Sequence, residues 1–291
     1  IGMQIVRDEA GLEKALKAAA DRGAQAFGDA RVYVERYIER PRHIEVQVFG
    51  DEQGHVVALG ERECSVQRRH QKIIEESPAP AFENRADGEA LRSRILEAAV
   101  RVAKSAGYVG AGTVEFIWED AQSSYYFLEV NCRLQVEHPV TEMVTGLDLV
   151  ELQLRVASGE PLPDAVQSGS RSPYGHAIEV RVYAEDPYKG FIPKPGAVDA
   201  VTWPTGEGVR VDAGVAAGGK VTPHYDPLIA KIVTHGRDRH EAIDRMKKAL
   251  AETQLSPVVT NLPFLRALVA SDEFERGEYD TTFAEAFAKR K

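Results

Sequence analysis

The sequence predicts an α+β fold in which antiparallel hairpins alternate with amphipathic helices. Two observations carry this expectation: stretches of period-two alternation come in adjacent pairs joined by short polar turns, and segments with apolar residues at helical spacing separate those pairs. At 291 residues, 43% hydrophobic and 28% charged, the chain has apolar side chains enough for a sizeable core and room for two lobes. A formal net charge of −9 argues against a general nucleic-acid or anionic-membrane binder, which needs a basic footprint, so any phosphate site must be local. Cys64 and Cys132 do not make a disulfide framework, and no stretch resembles a signal peptide or an uninterrupted membrane span. A reducing, cytoplasmic setting with no nucleic-acid or membrane partner is the expectation.

The elements follow in order. IGMQIV at the start reads as a strand already under way. From Asp8 to Ala26 the spacing of Leu12, Leu16 and Ala19 predicts a helix with Asp8 as N-cap, after which VYVERYIERP alternates like a strand and stops at Pro41. In RHIEVQVFGDEQGHVVALGERE, Ile44, Val46 and Val48 share one face and His43, Glu45 and Gln47 the other, with a turn around Gly50 to Gly54. CSVQRRHQKIIEESPAP reads as a polar loop, and Asn84 to Ser105 as a helix with Leu91, Ile95, Ala98 and Val102 as its inner stripe. GTVEFIWEDAQSSYYFLEVN reads as a second hairpin turning near Gln122, in which Val114, Phe116 and Trp118 oppose Glu115, and Tyr126, Leu128 and Val130 oppose Glu129. LDLVELQLRVASG is a helix, and the Pro/Ser/Gly-rich PLPDAVQSGSRSPYG after it marks a linker at about residues 159–173. Beyond it HAIEVRVYAEDP, GVRVDAG and IAKIVTHG read as strands and RDRHEAIDRMKKALAET as an amphipathic helix.

The chemistry concentrates in FLEVNCRLQVEHPVTEM, which places Glu129, Asn131, Arg133, Gln135, Glu137 and His138 close together between apolar residues patterned like a buried strand. If the second hairpin turns at Gln122, Glu115 and Glu129 face each other, where like charges are destabilising unless something positive lies between them. On pattern alone two readings stand: both glutamates face solvent, or they hold a magnesium ion that bridges nucleotide phosphates. Gln67, Arg68, Arg69, His70 and Lys72 form a local cationic cluster in an acidic chain, either a solvated charge run or the anion-binding half of the same site.

The succession VERYIERPRHIEVQVFGD, ERECSVQRRHQKIIEESPAP, GAGTVEF, FLEVNCRLQVEHPVTEM and GHAIEVRVYAEDP closely resembles biotin carboxylase, the ATP-grasp component of biotin-dependent acetyl-CoA, acyl-CoA and pyruvate carboxylases. The likeness runs over essentially the whole chain. It implies part of an ATP-grasp fold over residues 1–158, a linker over 159–173 and a biotin carboxylase C-terminal domain over 174–291. By the resemblance, Glu35 and Ile38 meet the adenine edge of ATP, and His43, Gln67 and His70 lie around the ribose and phosphates. Glu115 and Glu129 match the Mg2+ (or Mn2+) carboxylates, with Asn131 a further ligand of metal or phosphate. Lys72, Arg133, Gln135, the backbone of Val136 and Glu137 match the bicarbonate site, where Glu137 is the base and Arg133 also steadies the biotin enolate. Arg181 matches a contact to the biotin ureido oxygen, its alternative being a salt bridge with Glu179 or Glu185.

Cys132 stands where the family has a small residue such as Thr, Ser or Ala. The resemblance also implies, before Ile1, a nucleotide-fold domain, two ATP-binding lysines and a glycine-rich lid, so these 291 residues alone are expected to turn over ATP poorly. The expected partners are a biotin carboxyl carrier, since no lysine sits in a Met-Lys-Met context, a carboxyltransferase component and a second copy of the chain. HPVTE at His138 to Glu142 looks more like the acyl-CoA carboxylase branch than the HTVTE of pyruvate carboxylases. Two alternatives remain at this point: an ATP-grasp ligase of the carbamoyl-phosphate synthetase type, and a non-catalytic assembly or dimerisation fragment.

Overall fold

The structure, a computed structural model, describes residues 2–83, 85–168 and 173–290. Contacts divide the chain into two units, Ile1–Glu39 and Arg40–Lys291. In the first, helix α1 (Leu12–Phe27) follows a short 3-10 turn whose N-cap Asp8 accepts from the Gly11 amide at 2.8 Å, and the helix ends on Gly28 in the left-handed region. The strands expected at the start of the chain and in VYVERYIERP do not form among the described residues, and Ile1 lies outside them. Alternation alone does not make a strand: its backbone groups need a ladder partner, and none pairs residues 29–38.

The second unit is built on one sheet. Its elements are β1 (Arg42–Gly50), β2 (Val56–Arg68), β3 (Gln71–Ser77), α2 (Pro80–Glu83), α3 (Gly88–Ser105), β4 (Gly110–Glu119), β5 (Ser124–Asn131), α4 (His138–Thr145), α5 (Leu149–Ala157), α6 (Asp164–Gln167) and β6 (His176–Tyr183). There follow β7 (Glu185–Asp186), β8 (Ile192–Pro193), β9 (Gly196–Thr202), β10 (Val209–Ala213), β11 (Gly219–Val221), β12 (Leu228–Gly236), α7 (Arg239–Glu252), β13 (Gln254–Pro257), α8 (Leu262–Val269), α9 (Asp272–Glu275) and α10 (Phe283–Ala288). The main sheet runs β10-β12-β6-β3-β2-β1-β4-β5, so strands on both sides of residues 159–173 belong to one ladder, joined where Glu75 pairs with Glu179 and Ile74 with Val180. Within the expected linker the short α6 forms, and residues 169–172 lie outside the described residues.

The apolar face of β1 buries Ile44, Val46 and Val48 against Leu91, Ile95 and Ala99 of α3, and Phe82 meets Trp118 edge to face at 5.1 Å. Each such aliphatic side chain contributes about 1.5–3 kcal/mol on burial. The helix begins at Gly88, later than the Asn84 read from the sequence; Asn84 itself lies outside the described residues. The polar stretch 64–80, expected as a loop, instead completes β2 and forms β3. Its turn is Arg69-His70, both in the left-handed region (φ 46° and 66°), a two-residue hairpin made without the usual Gly or Asn and steadied where Glu285 accepts from the Arg69 amide at 2.9 Å.

Two further expectations are corrected. A bulge at Leu128 pairs Phe127 with Phe116 and Tyr125 with Trp118, so Phe127 and Tyr125, not Leu128 and Tyr126, lie on the apolar face, with Phe127 edge to face with the Phe116 ring at 6.4 Å. The buried-strand pattern of FLEVNCRLQVEHPVTEM also stops early. β5 ends at Asn131, and Pro139, suited to a first helical turn, opens α4.

Candidate active site

The polar face of β1 is as buried as its apolar one. Glu45, directly opposite Arg62 in the β1/β2 register, has no solvent exposure, and neither has Arg62. The Arg62 guanidinium donates to Glu45 Oε1 (2.5 Å), Gln47 Oε1 (2.8 Å), Thr141 Oγ1 (2.9 Å), Thr113 Oγ1 (3.2 Å) and Gln135 Oε1 (3.3 Å). A buried charge tolerates this setting only with its donors matched, and here they are. The cluster ties β1, β2 and β4 to the loop after β5 and to α4.

Lys72 lies above it. Its ammonium donates to Glu45 Oε2 (2.5 Å), Glu137 Oε1 (2.5 Å) and Glu115 Oε1 (3.1 Å). Burial opposes ionisation of Glu45, but Lys72 and Arg62 hold its carboxyl down to about 2. Glu115 also lies well below the ordinary range: burial would raise it, and the hydrogen bond and charge of His43, Lys72 and Gln135 more than offset that. His43 Nε2 stands 3.0 Å from Glu115 Oε2, and Gln135 Nε2 donates to Glu115 Oε1 at 2.8 Å.

Arg181 closes the other side. It donates through Nε to Glu75 Oε1 (2.6 Å) and through Nη2 to Glu137 Oε2 (2.9 Å), so both oxygens of Glu137 are held by cations from different strands. The alternative pairing of Arg181 with Glu179 or Glu185 is not what forms: Glu185 pairs with Arg68, and neither oxygen of Glu179 has a hydrogen-bond donor among the described residues. Lys231 of β12 donates to the Val136 carbonyl at 2.9 Å and lies 3.3 Å from Asp212 Oδ2, which fixes the peptide leading into Glu137.

Glu115 and Glu129 face each other across β4 and β5 as expected, although the turn alone would set Glu115 opposite Leu128 and it is the bulge at Leu128 that brings Glu129 across from it. Asn131 Nδ2 donates to both, at 3.1 Å and 3.0 Å, and its Oδ1 accepts from Arg133 Nη2 at 3.3 Å. This donor set fits magnesium. Two facing carboxylates and an amide that presents Oδ1 after a half-turn are the hard oxygen ligands such an ion takes, and the amide N–H between the carboxylates marks a place where positive charge is favoured. The groups His43–Glu45–Glu115 and Glu45–Cys64–Glu137 also have ligand atoms within 4.8 Å of one another, but Lys72 already sits against Glu45, Glu115 and Glu137.

The structure thus brings together Lys72, Gln135, Val136, Glu137, Arg181, His43, Glu115, Glu129, Asn131 and Arg133. Gln67 lies opposite Lys72 in the β2/β3 register, and His70 is exposed at the hairpin tip. Glu35 and Ile38 belong to the separate unit Ile1–Glu39. The sequence reading did not single out Arg62, Glu75 or Lys231. Cys132 is exposed and Cys64 buried, both as free thiols.

Comparison with known proteins gives two family matches, the carbamoyl-phosphate synthase L chain ATP-binding domain over residues 1–165 and the biotin carboxylase C-terminal domain over residues 179–286. Biotin carboxylase 2 of Bacillus subtilis is 50% identical over 283 residues, covering 97% of this chain and 62% of that protein. The chain belongs to the biotin carboxylase family. The C-terminal match sets this biotin carboxylase relative apart from ligases that share only the ATP-binding domain. A pyruvate carboxylase subunit from Methanothermobacter thermautotrophicus is 47% identical, with 99% of this chain and 57% of that protein covered. The biotin carboxylase of Campylobacter jejuni, solved as a βγ-ATP complex, superposes with a TM-score of 0.91 at 43% identity, covering 98% of this chain and 62% of that one. The biotin carboxylase domain dimer of Hydrogenobacter thermophilus 2-oxoglutarate carboxylase, solved with MgADP, ADP and bicarbonate, gives 0.90 at 40% identity, covering 98% and 61%. The chain therefore spans about three fifths of the length of these biotin carboxylase relatives.

Among the described residues no helix is long and apolar enough to cross a membrane.

Proposed function

We propose that this chain carries the carboxylation site of a biotin-dependent carboxylase, which uses ATP and bicarbonate to carboxylate biotin borne on a carrier domain or subunit. The observation that carries the reading is Glu137, buried and fixed by Lys72 on one oxygen and Arg181 on the other. That arrangement suits a base whose position must not vary: Glu137 takes the proton of bicarbonate, and the freed oxygen attacks the ATP γ-phosphate as ADP leaves. Lys72, Gln135, Arg133 and the Val136 backbone hold the anion. The resulting carboxyphosphate breaks into carbon dioxide and phosphate, the phosphate removes the proton from biotin N1, and N1 then captures the carbon dioxide. Arg133 and Arg181 stabilise the negative charge on the ureido oxygen while N1 is deprotonated.

Glu115, Glu129 and Asn131 are the residues that would hold magnesium. Bound there, the ion would neutralise phosphate charge during phosphoryl transfer. His43, Gln67 and His70 are assigned to the ribose and phosphates, and Glu35 and Ile38 to the adenine. The proposed organisation is an ATP-grasp part over residues 1–158, a linker over 159–173 and a C-terminal domain over 174–291, acting with a carrier, a carboxyltransferase and, as in the Hydrogenobacter thermophilus domain dimer, a second copy.

The test compares two variants of the complete protein. Glu137→Gln is expected to slow bicarbonate-dependent ATP cleavage about a hundredfold to ten-thousandfold, the usual cost of losing a positioned base. Arg133→Ala is expected to uncouple the remaining cleavage from carboxybiotin formation, because carboxyphosphate still decomposes while the enolate goes unstabilised. Phosphate and carboxybiotin measured in parallel decide it, and proportionate losses of both in Arg133→Ala would remove its second role.

A further inference from the structure

Beneath α4 the sheet carries two carboxyl groups that the reaction above does not use. Glu75 on β3 and Glu179 on β6 are cross-strand partners, and both have 0% solvent exposure. Glu75 Oε1 accepts from Arg181, but Glu75 Oε2 and both Glu179 oxygens meet no donor among the described residues. On its other side Glu179 faces Val233 of β12, part of an apolar cluster with Val140, Val144 and Ala177. Two carboxylates opposed in so dry a place cannot both stay ionised, and such pairs keep one proton between them.

The surrounding charges decide which carboxyl keeps it. Burial, then the facing Glu75, pushes Glu179 well above the usual carboxylate range, and Lys231 and Arg181 do not reverse this. Glu75 is pushed up to about 7, by burial first, against the pull of Arg181 and Lys72 and with repulsion from Glu137. The remaining ionisable groups of α4 are committed elsewhere: His138 Nδ1 is 2.8 Å from the Gln135 carbonyl, and Glu142 accepts from the Leu149 amide (2.7 Å) and Arg210 (2.6 Å). Glu75 keeps a cation, Arg181, while Glu179 has none hydrogen-bonded to it, so the proton belongs on Glu179.

We propose that Glu75 is a positioning residue for Arg181, with Glu179 as its protonated neighbour, and that the pair holds the guanidinium in place when Glu137 takes up its proton. The role rests on the biotin carboxylase reading. Arg181 is shared between two carboxylates, so a proton arriving on Glu137 Oε2 weakens that acceptor and makes Nη2, still 2.5 Å from Glu75 Oε1, available to the ureido oxygen. Glu75 then becomes the anchor that keeps the fork aimed. A protonated Glu179, across the β3/β6 ladder from Glu75, removes the like charge that would oppose the ionised state of that anchor.

The test uses a complete protein with Glu179→Gln, Glu75→Gln and Glu75→Asp. In infrared spectra the wild type is expected to show the carbonyl stretch of a buried protonated carboxyl at neutral pH, and Glu179→Gln to lack it; spectra that the substitution leaves unchanged overturn the shared proton. In assays Glu75→Gln is expected to raise KM for biotin about tenfold or more, the worth of one hydrogen bond to a charged group. Bicarbonate-dependent phosphate release should fall by less than about threefold, and Glu75→Asp should recover part of the KM, a split that general damage to the fold would not give. An unchanged KM, or equal losses in both assays, overturns the positioning role. A wild type without biotin carboxylation overturns the functional reading and that role together, while the infrared arm still decides the carboxyl pair. Where Glu75→Gln fails to fold, Glu75→Asp carries the KM comparison.

Discussion

Arg62 is the residue on which the site's buried charge rests. It has no exposure and spends its guanidinium on acceptors from β1, β4, α4 and the loop before α4, so removing it leaves Glu45 buried with Lys72 as its main counter-charge. Breaking a buried pair from one side costs about 3–5 kcal/mol. Arg62→Met is therefore expected to lower unfolding stability by about that amount in urea titrations, and Arg62→Lys to restore only part of it, because an ammonium cannot reproduce the planar fork. A loss below about 1 kcal/mol in Arg62→Met would show that the cluster repacks without it. This pairing was not legible in the sequence: counted from the turn, Glu45 falls opposite Glu61, and only the register shift between Val46 and Val48 brings Arg62 across from it. What the sequence could not convey is that the polar face of β1 is buried, since alternation identifies two faces and not what covers them. Lys231 was less legible still, because its bond to the Val136 carbonyl joins residues 95 positions apart with no local pattern connecting them.

At the scale of elements, β3 was the stretch least legible. Its charges and its turn, with neither Gly nor Asn, disguise a strand whose polar residues, Glu75 Oε2 apart, find partners in the sheet and in distant helices. Glu76 accepts from His176 Nε2 (2.7 Å) on β6, from Arg239 Nε (2.7 Å) on α7 and from Tyr279 OH. Burial would raise the Glu76 carboxyl, but Arg239 and His176 bring it to about 2. His176 moves the opposite way: burial would lower it, yet hydrogen bonds to Glu76 and Glu83 raise it above its ordinary value. A raised histidine stabilises the fold fully below its unfolded value of about 6.5, and that contribution is lost as pH rises through the folded value. The depressed Glu76 acts at the other end, stabilising above about 4.5 and losing this as pH falls through about 2. As pH rises above about 6.5 the wild type is expected to lose denaturation midpoint, and His176→Gln to lose less of it. Parallel pH curves for the two proteins would rule out a charged His176 at this junction.

At the scale of the molecule, composition and the Pro/Ser/Gly-rich stretch suggested two lobes, whereas the second unit shares one sheet through the β3/β6 ladder. Its largest core draws on both sides of that stretch. Val66, Ile73 and Ile74 pack in the same cluster as Ile178, Val180, Met246 and Phe264, so pulling β6 away from β3 would strip apolar cover from both. Segments that share a core in this way are expected to unfold together, even at a length where separate domains often unfold in steps. The chain's two tryptophans report on the two sides: Trp118 is buried beside α3, and Trp203 packs against the core built on β6, β12 and α7. Single-tryptophan chains, Trp118→Phe and Trp203→Phe, are each first referenced to their own midpoint by circular dichroism. Fluorescence should then coincide with that midpoint in both. Ile74→Ala, at a buried position on β3, should lower stability by about 2–5 kcal/mol and move both fluorescence transitions equally. If only the Trp203 signal moved, the shared ladder would not couple the two sides, and the positioning of Arg181 against Glu137 would depend on a seam able to open without the rest of the sheet.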